Sequence, residues 1–193
     1  FGFAGQLADT GTLTGALSGN ASLDGTAVTL AGDIATNDTS RRLSGLRFTA
    51  GPTVLEGDVV QDADGLLTGD LRLASPDIST AAALVALRAT GSANAAIVLA
   101  AANGQQSAEV TGTVSDLALD DTRVGSADIR ASLADLFGAP AIAGTVAARS
   151  IVAGGFTVDR LDAEANQSGA TTQFTLAAGI DSDRTLANAG LTP

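Results

Sequence analysis

The chain has 193 residues, of which ten are basic and twenty-one acidic, for a formal charge of −11, and 45% are hydrophobic. His, Cys, Met, Trp, Tyr and Lys are all missing, which excludes thiol- and histidine-based triads, Ser–Lys dyads, lysine Schiff bases, His/Cys zinc sites and the P-loop. No dense Arg cluster offsets the acids, so a basic nucleic-acid face is excluded as well, and a mean hydropathy of +0.28 excludes disorder.

Along the chain, apolar and polar residues alternate with the period of a half-buried strand. Val28, Leu30, Gly32 and Ile34 alternate with Thr29, Ala31 and Asp33, and Leu67, Gly69, Leu71 and Leu73 with Thr68, Asp70 and Arg72. The dipeptides Asp64-Gly65 and Asn103-Gly104 predict hairpin turns. Between Pro76 and Gly91 the period breaks. Asp77 is placed as an N-cap, and Ser79 to Leu87 is rich in Ala, which predicts one short helix near 78–88. The longest uncharged stretch, Ala89 to Ala108, has an apolar centre at Ala95 to Ala102, far short of the ~20 residues of a bilayer-spanning helix.

The alternation resumes through Val110, Gly112 and Val114, then Ile142, Gly144 and Val146, then Leu161, Ala163 and Ala165, and finally Phe174, Leu176, Ala178 and Ile180. A helical turn is expected at Ala134 to Phe137, stopped by Gly138 and Pro140, and no clear closing strand after Ile180, in the stretch from Asp183 to Pro193. The reading is all-β, with about a dozen strands, each with one apolar and one polar face. Residues 1–193 form a single elongated module. Because the chain begins at Phe1 without an initiator Met or a basic leader, it is expected to be a piece of a larger protein.

A five-residue unit, apolar-x-Gly-x-apolar, occurs six times, beginning at Leu13, Leu30, Leu55, Leu67, Val110 and Ile142, with each Gly on the apolar face. Glycine inside a strand marks a bulge, a bend or a close approach. Two readings stay open: the glycines relieve crowding in a packed sandwich, or they curve a sheet whose concave side is under-filled. Aromatic content of 3%, all of it six Phe, makes a closed sandwich about 10 Å thick hard to fill. The expectation is therefore a curved or folded-over sheet with an open aliphatic groove. Such a surface suits a hydrocarbon chain, which gains about 0.8 kcal/mol per CH₂ buried, and does not select a head group. The candidate lining is Leu55, Val59, Leu67, Leu71, Val110, Val114, Ile142, Val146, Phe174 and Leu176.

Other site-like features are poor. Gln61 to Gly65 resembles the opening of a calcium loop but lacks the downstream ligands, so a plain hairpin turn is expected. Asp120-Asp121 reads as a solvated turn rather than an acid–base pair. G-x-G-x-x-G and G-x-S-x-G are absent. No catalytic, metal or cofactor-binding residue is expected, and the chain reads as a non-enzyme.

The stretch from Asn103 to Ala165 resembles the C-terminal region of the TamB family, the translocation and assembly module subunits of the AsmA-like superfamily. The resemblance is carried by Asn103 to Val114, Val124 to Ile129, Ala134 to Val146, Val152 to Phe156 and Leu161 to Ala163, with the Asp77-to-Leu87 helix and Gly91-Ser92-Ala93 in the same layout. It implies a folded-over sheet with a hydrophobic groove, often described as a taco. It also implies an inner-membrane anchor on the parent protein, passage through the periplasm and docking on the outer-membrane barrel TamA. The implied work is movement of phospholipids, held by their acyl chains, and support of outer-membrane protein assembly. A structural stalk segment of a secreted adhesin or autotransporter is the rival reading, and it requires a filled interior.

Overall fold

The computed structural model describes residues 2–7, 12–23, 25–84, 86–168, 171–179 and 189–191. Thirteen strands form one sheet whose spatial order is the sequence order. They are β1 (Gly2–Leu7), β2 (Leu13–Leu23), β3 (Thr26–Thr36), β4 (Ser40–Ala50), β5 (Thr53–Asp62), β6 (Leu67–Ser75), β7 (Ala89–Ala102), β8 (Gln105–Leu119), β9 (Thr122–Ala134), β10 (Ala141–Ala153), β11 (Phe156–Ser168), β12 (Thr171–Gly179) and β13 (Ala189–Leu191). Each neighbouring pair is antiparallel, as short connections between consecutive strands require. The expected elongated all-β sheet with one short helix is what forms. β1 and β13 lie at opposite ends of the order, so the sheet is not closed into a barrel.

The turns follow from local chemistry. Asn103 (φ 54°) and Gly104 (φ 73°) join Ala102 to its partner Gln105 in a two-residue hairpin with both central residues left-handed. The same geometry recurs at Gly154-Gly155. Asp64-Gly65 sits in a longer loop, because one Asp62 carboxylate oxygen accepts the Asp64 and Leu66 N–H groups at 3.0 and 2.9 Å. That carboxylate holds the turn, and among the described residues no group of acidic side chains could hold a metal ion.

The single helix, α1 (Ser79–Leu84), is shorter than the sequence pattern suggests. Asp77 caps it as expected: its Oδ1 accepts the Ser79 N–H at 2.9 Å, and hydrogen bonds from the Ser79 backbone and side chain hold the carboxyl below the usual carboxylate range. The stop comes before Gly91. Leu87 N–H donates to Ala82 O at 3.0 Å and Ala86 N–H to Ala83 O at 3.1 Å, the pair of bonds of a Schellman cap, with Ala86 left-handed at φ 58°. Alanine pays a Cβ penalty there that glycine does not. Ala86→Gly is therefore expected to raise the unfolding free energy by about 1 kcal/mol, seen as a higher urea midpoint at unchanged slope.

Two further expectations are corrected. Ala134 to Phe137 forms no helical turn: Ala134 ends β9, Asp135 is left-handed, and its carbonyl accepts Gly138 N–H at 3.1 Å in a simple turn. A closing strand exists after all, since β13 pairs with Phe174 to Leu176 of β12. Ile180 and Asp183 lie outside the described residues.

Irregularities in the sheet are concentrated. In β4 the register shifts around Gly45, whose N–H donates to Asp58 Oδ1 at 2.8 Å. In β7 and β8 a bulge sets Gly91 against Asp116, both at positive φ. Ser150 of β10 lies on the same line across the sheet and is left-handed too. Beyond that line the apolar alternation changes phase, from Val114, Ala127, Ala148 and Leu161 to the partnered set Leu117, Val124, Ile151 and Val158. A one-residue slip would carry the apolar set to the other face, and irregular residues in the strands are how a sheet absorbs it.

No packed core is present among the described residues. The buried hydrophobic residues are Ala50, Ala108 and Ala148, and the largest fully buried side chain is Ser75. Ser75 Oγ shares a 2.6 Å hydrogen bond with Thr53 Oγ1, which ties the ends of β5 and β6 where the chain leaves for α1.

Candidate functional site

Residues paired across an antiparallel sheet share a face, so the register defines rows. One row runs Leu46, Gly57, Leu71, Ile97, Val110, Ala131, Gly144, Ala165, Phe174. Two residues along the strands the next runs Phe48, Leu55, Leu73, Ala95, Gly112, Ile129, Val146, Ala163, Leu176. On the other side lie Leu43, Val59, Gly69, Leu99, Ala108, Leu133 and Ile142. None of these positions from β4 to β12 carries a charge or a polar side chain. This is a continuous aliphatic face.

All ten positions singled out from the sequence lie on this face. Leu67 and Val114 join it by sharing the strand parity of Leu71 and Val110. Eight of the ten are half-buried, while Ile142 and Phe174 are 49% and 51% exposed. Among the described residues no second layer covers them: the main contacts of each strand are with its sequence neighbours and, for β7, with α1.

The motif glycines have a definite structural cause. A Cβ on Gly57 would overlap the Asp70 carbonyl oxygen, one on Gly69 the Asp58 carbonyl oxygen, and one on Gly144 the Arg130 carbonyl oxygen. Their φ angles of 150°, 148° and 159° belong to a region that side chains rarely enter. At Gly112 the nearest atom is again a backbone oxygen, Asn94 O at 2.8 Å. The crowding at these four positions comes from neighbouring strands of the same sheet and not from a facing layer. Close approach within a single sheet accounts for them.

Two glutamines complete strand pairing at one end of this face. Gln106 is 2% exposed. Its Oε1 accepts Leu67 N–H at 2.6 Å, and its Nε2 donates to Leu67 O at 2.8 Å, Ala100 O at 3.0 Å and Ser107 O at 3.0 Å. The side-chain amide stands in for a strand peptide where β6 begins before its pairing with β7. Gln167 Oε1 similarly accepts the Ile142 N–H at 2.9 Å.

The opposite face is polar and carries an arrangement the sequence does not reveal. A hollow of about 770 Å³ is lined there by Arg47, Glu56, Arg72, Ala96, Thr111, Asp128 and Arg130 among others. Arg47 is paired with Glu56 at 2.8 Å. The described hollows lie mostly on this side, and of the ten candidate positions only Val110 lines one of them. Alternation places each arginine on the polar side, but only the register brings β4, β6 and β9 together. Asp120 and Asp121 sit exposed in the two-residue turn between Leu119 and Thr122.

No family model matches the chain, and neither a curated protein nor a solved structure matches it significantly.

Proposed function

We propose that this chain is a non-enzymatic segment of a lipid conduit of the bacterial cell envelope, holding phospholipid acyl chains against its aliphatic face. The observation that carries the reading is the set of uncharged rows crossing β4 to β12 with no layer packed over them. A contiguous apolar surface of this extent is costly to leave in water and marks a binding surface. Its rows are apolar throughout, aliphatic but for Phe48 and Phe174, which suits a flexible hydrocarbon and is indifferent to the head group. On the resemblance noted above, the parent protein is anchored in the inner membrane, crosses the periplasm and meets TamA. The rival stalk reading needs a filled interior, and the three buried alanines among the described residues do not supply one.

A photo-reactive residue placed at Leu71 or Val114 is expected to capture lipid in cells, whereas the same residue at Arg72 or Glu109, on the other face, is not. Capture should survive added salt, because tails bind by burial and not by charge. Equal capture from both faces, or none from Leu71 and Val114, overturns the proposal.

A further inference from the structure

The polar hollow has a charge balance unlike that of the chain. Three arginines line it against two carboxylates, in a protein with a formal charge of −11. Arg47 is satisfied by Glu56, so the Glu56 carboxylate is engaged away from Arg72, its direct cross-strand partner. Arg72 and Arg130 form no ion pair among the described residues. Both lie on one row, Arg72, Ala96, Thr111, Arg130, and so stand three strand spacings apart, ~14 Å at Cα. The two positions between them are small. Two long guanidinium side chains can lean inward over Ala96 and Thr111 and present their forks to one group between them.

We infer that the hollow between Arg72 and Arg130 is an anion site for a multiply charged phosphate group. Planar bidentate donors match phosphate oxygens, and small uncharged residues on the floor leave room for the group without opposing its charge. Asp128, two residues from Arg130, Asp70, two residues from Arg72, and Glu109, two residues from Thr111, lie on the same face and limit the site to anions that engage both arginines at once. A singly charged ion meets one arginine and one nearby carboxylate and gains little. The site lies on the face opposite the aliphatic rows and does not depend on what those rows bind.

The test uses inorganic pyrophosphate and the side-chain Nε–Hε resonances of the ten arginines. Pyrophosphate is expected to shift the resonances of Arg72 and Arg130 saturably and leave that of Arg41 unmoved. Arg72→Gln and Arg130→Gln should each weaken the binding about tenfold, and Arg41→Gln should not. Phosphatidic acid vesicles, whose phosphomonoester head can carry a second charge, separate the two sources of the group: competition with pyrophosphate assigns a lipid head group, and no competition assigns a free phosphate compound. Both outcomes uphold the site. No response at Arg72 and Arg130, or a response spread evenly over all arginines, overturns it.

Discussion

Gly69→Ala is expected to lower the unfolding free energy by about 3 kcal/mol or more, and Gly57→Ala by a similar amount. The two positions are reciprocal. Gly57-Asp58 and Gly69-Asp70 run antiparallel side by side, with Asp58 paired to Asp70, so each glycine faces the carbonyl of the other's aspartate. A methyl group at either place must displace a backbone oxygen that sits in the ladder and at the same time hold a φ near 150° that alanine resists. Neither neighbour can yield by rotating a side chain. The second substitution is expected to add much less than the first, because one displacement relieves both clashes. Gly179→Ala serves as the control, since nothing lies within 4 Å of its added Cβ and its φ is not left-handed, and it should change stability by no more than about 0.5 kcal/mol. Urea unfolding of the three variants checks this. If Gly69→Ala unfolds like Gly179→Ala, the close approach of β5 and β6 is not a fixed feature of the fold.

The close approach of neighbouring strands also bears on the proposed function. Glycines that admit neighbouring carbonyls lower the floor of the aliphatic face at Gly57, Gly69, Gly112 and Gly144 while the surrounding Leu, Val and Ile stand above it. A surface of that relief offers a hydrocarbon chain contacts on several sides without a facing layer, and dispersion between such close-set atoms adds to the burial term. The sheet is not closed into a barrel, so on the proposed function a chain would have access from the open side as well as along the rows.

What the sequence makes legible here is whatever is local. Period-two alternation gives the strands and their apolar faces, since successive side chains on a pleated strand must point to opposite sides. Asn103-Gly104 gives its hairpin because both residues tolerate positive φ. The parity of the motif glycines gives the apolar side of eight of the ten candidate positions, and plain alternation gives that of Phe174 and Leu176. Other features escape because they depend on partners far along the chain. The length of the Asp64-Gly65 loop is decided by the Asp62 carboxylate, and the end of α1 by a left-handed alanine that propensity does not favour. The three-residue β13 carries too short an alternation to stand out. That Arg72 and Arg130 share a row follows from the register of β6 through β9, which no single strand encodes. Concavity is expected on the aliphatic side, and the largest described hollow lies on the polar one, lined by residues of several strands that only the register brings side by side.

Gln106 is the other position where one side chain carries a large share of stability. Gln106→Ala is expected to cost about 3–4 kcal/mol, because it strands the Leu67 N–H and C=O together and removes a donor from Ala100 and Ser107. Volume is not the reason: Gln106→Leu, which fills the space and bonds to nothing, should lose nearly as much. Gln106→Glu separates donor from acceptor. A carboxylate still accepts the Leu67 N–H but turns a negative oxygen on three carbonyls, so it should be at least as unstable as the alanine variant near neutral pH. Burial raises the carboxyl's pKa in such a place, and protonation restores one donor, so this variant should recover part of its loss as the pH falls toward 5 while the leucine variant does not. Urea midpoints of the three variants across pH 5 to 8 decide it. If leucine at this position is tolerated as well as glutamine, the amide is not acting as a strand peptide, and the ordered start of β6 at Leu67, with the lower end of the aliphatic face that it supports, needs another cause.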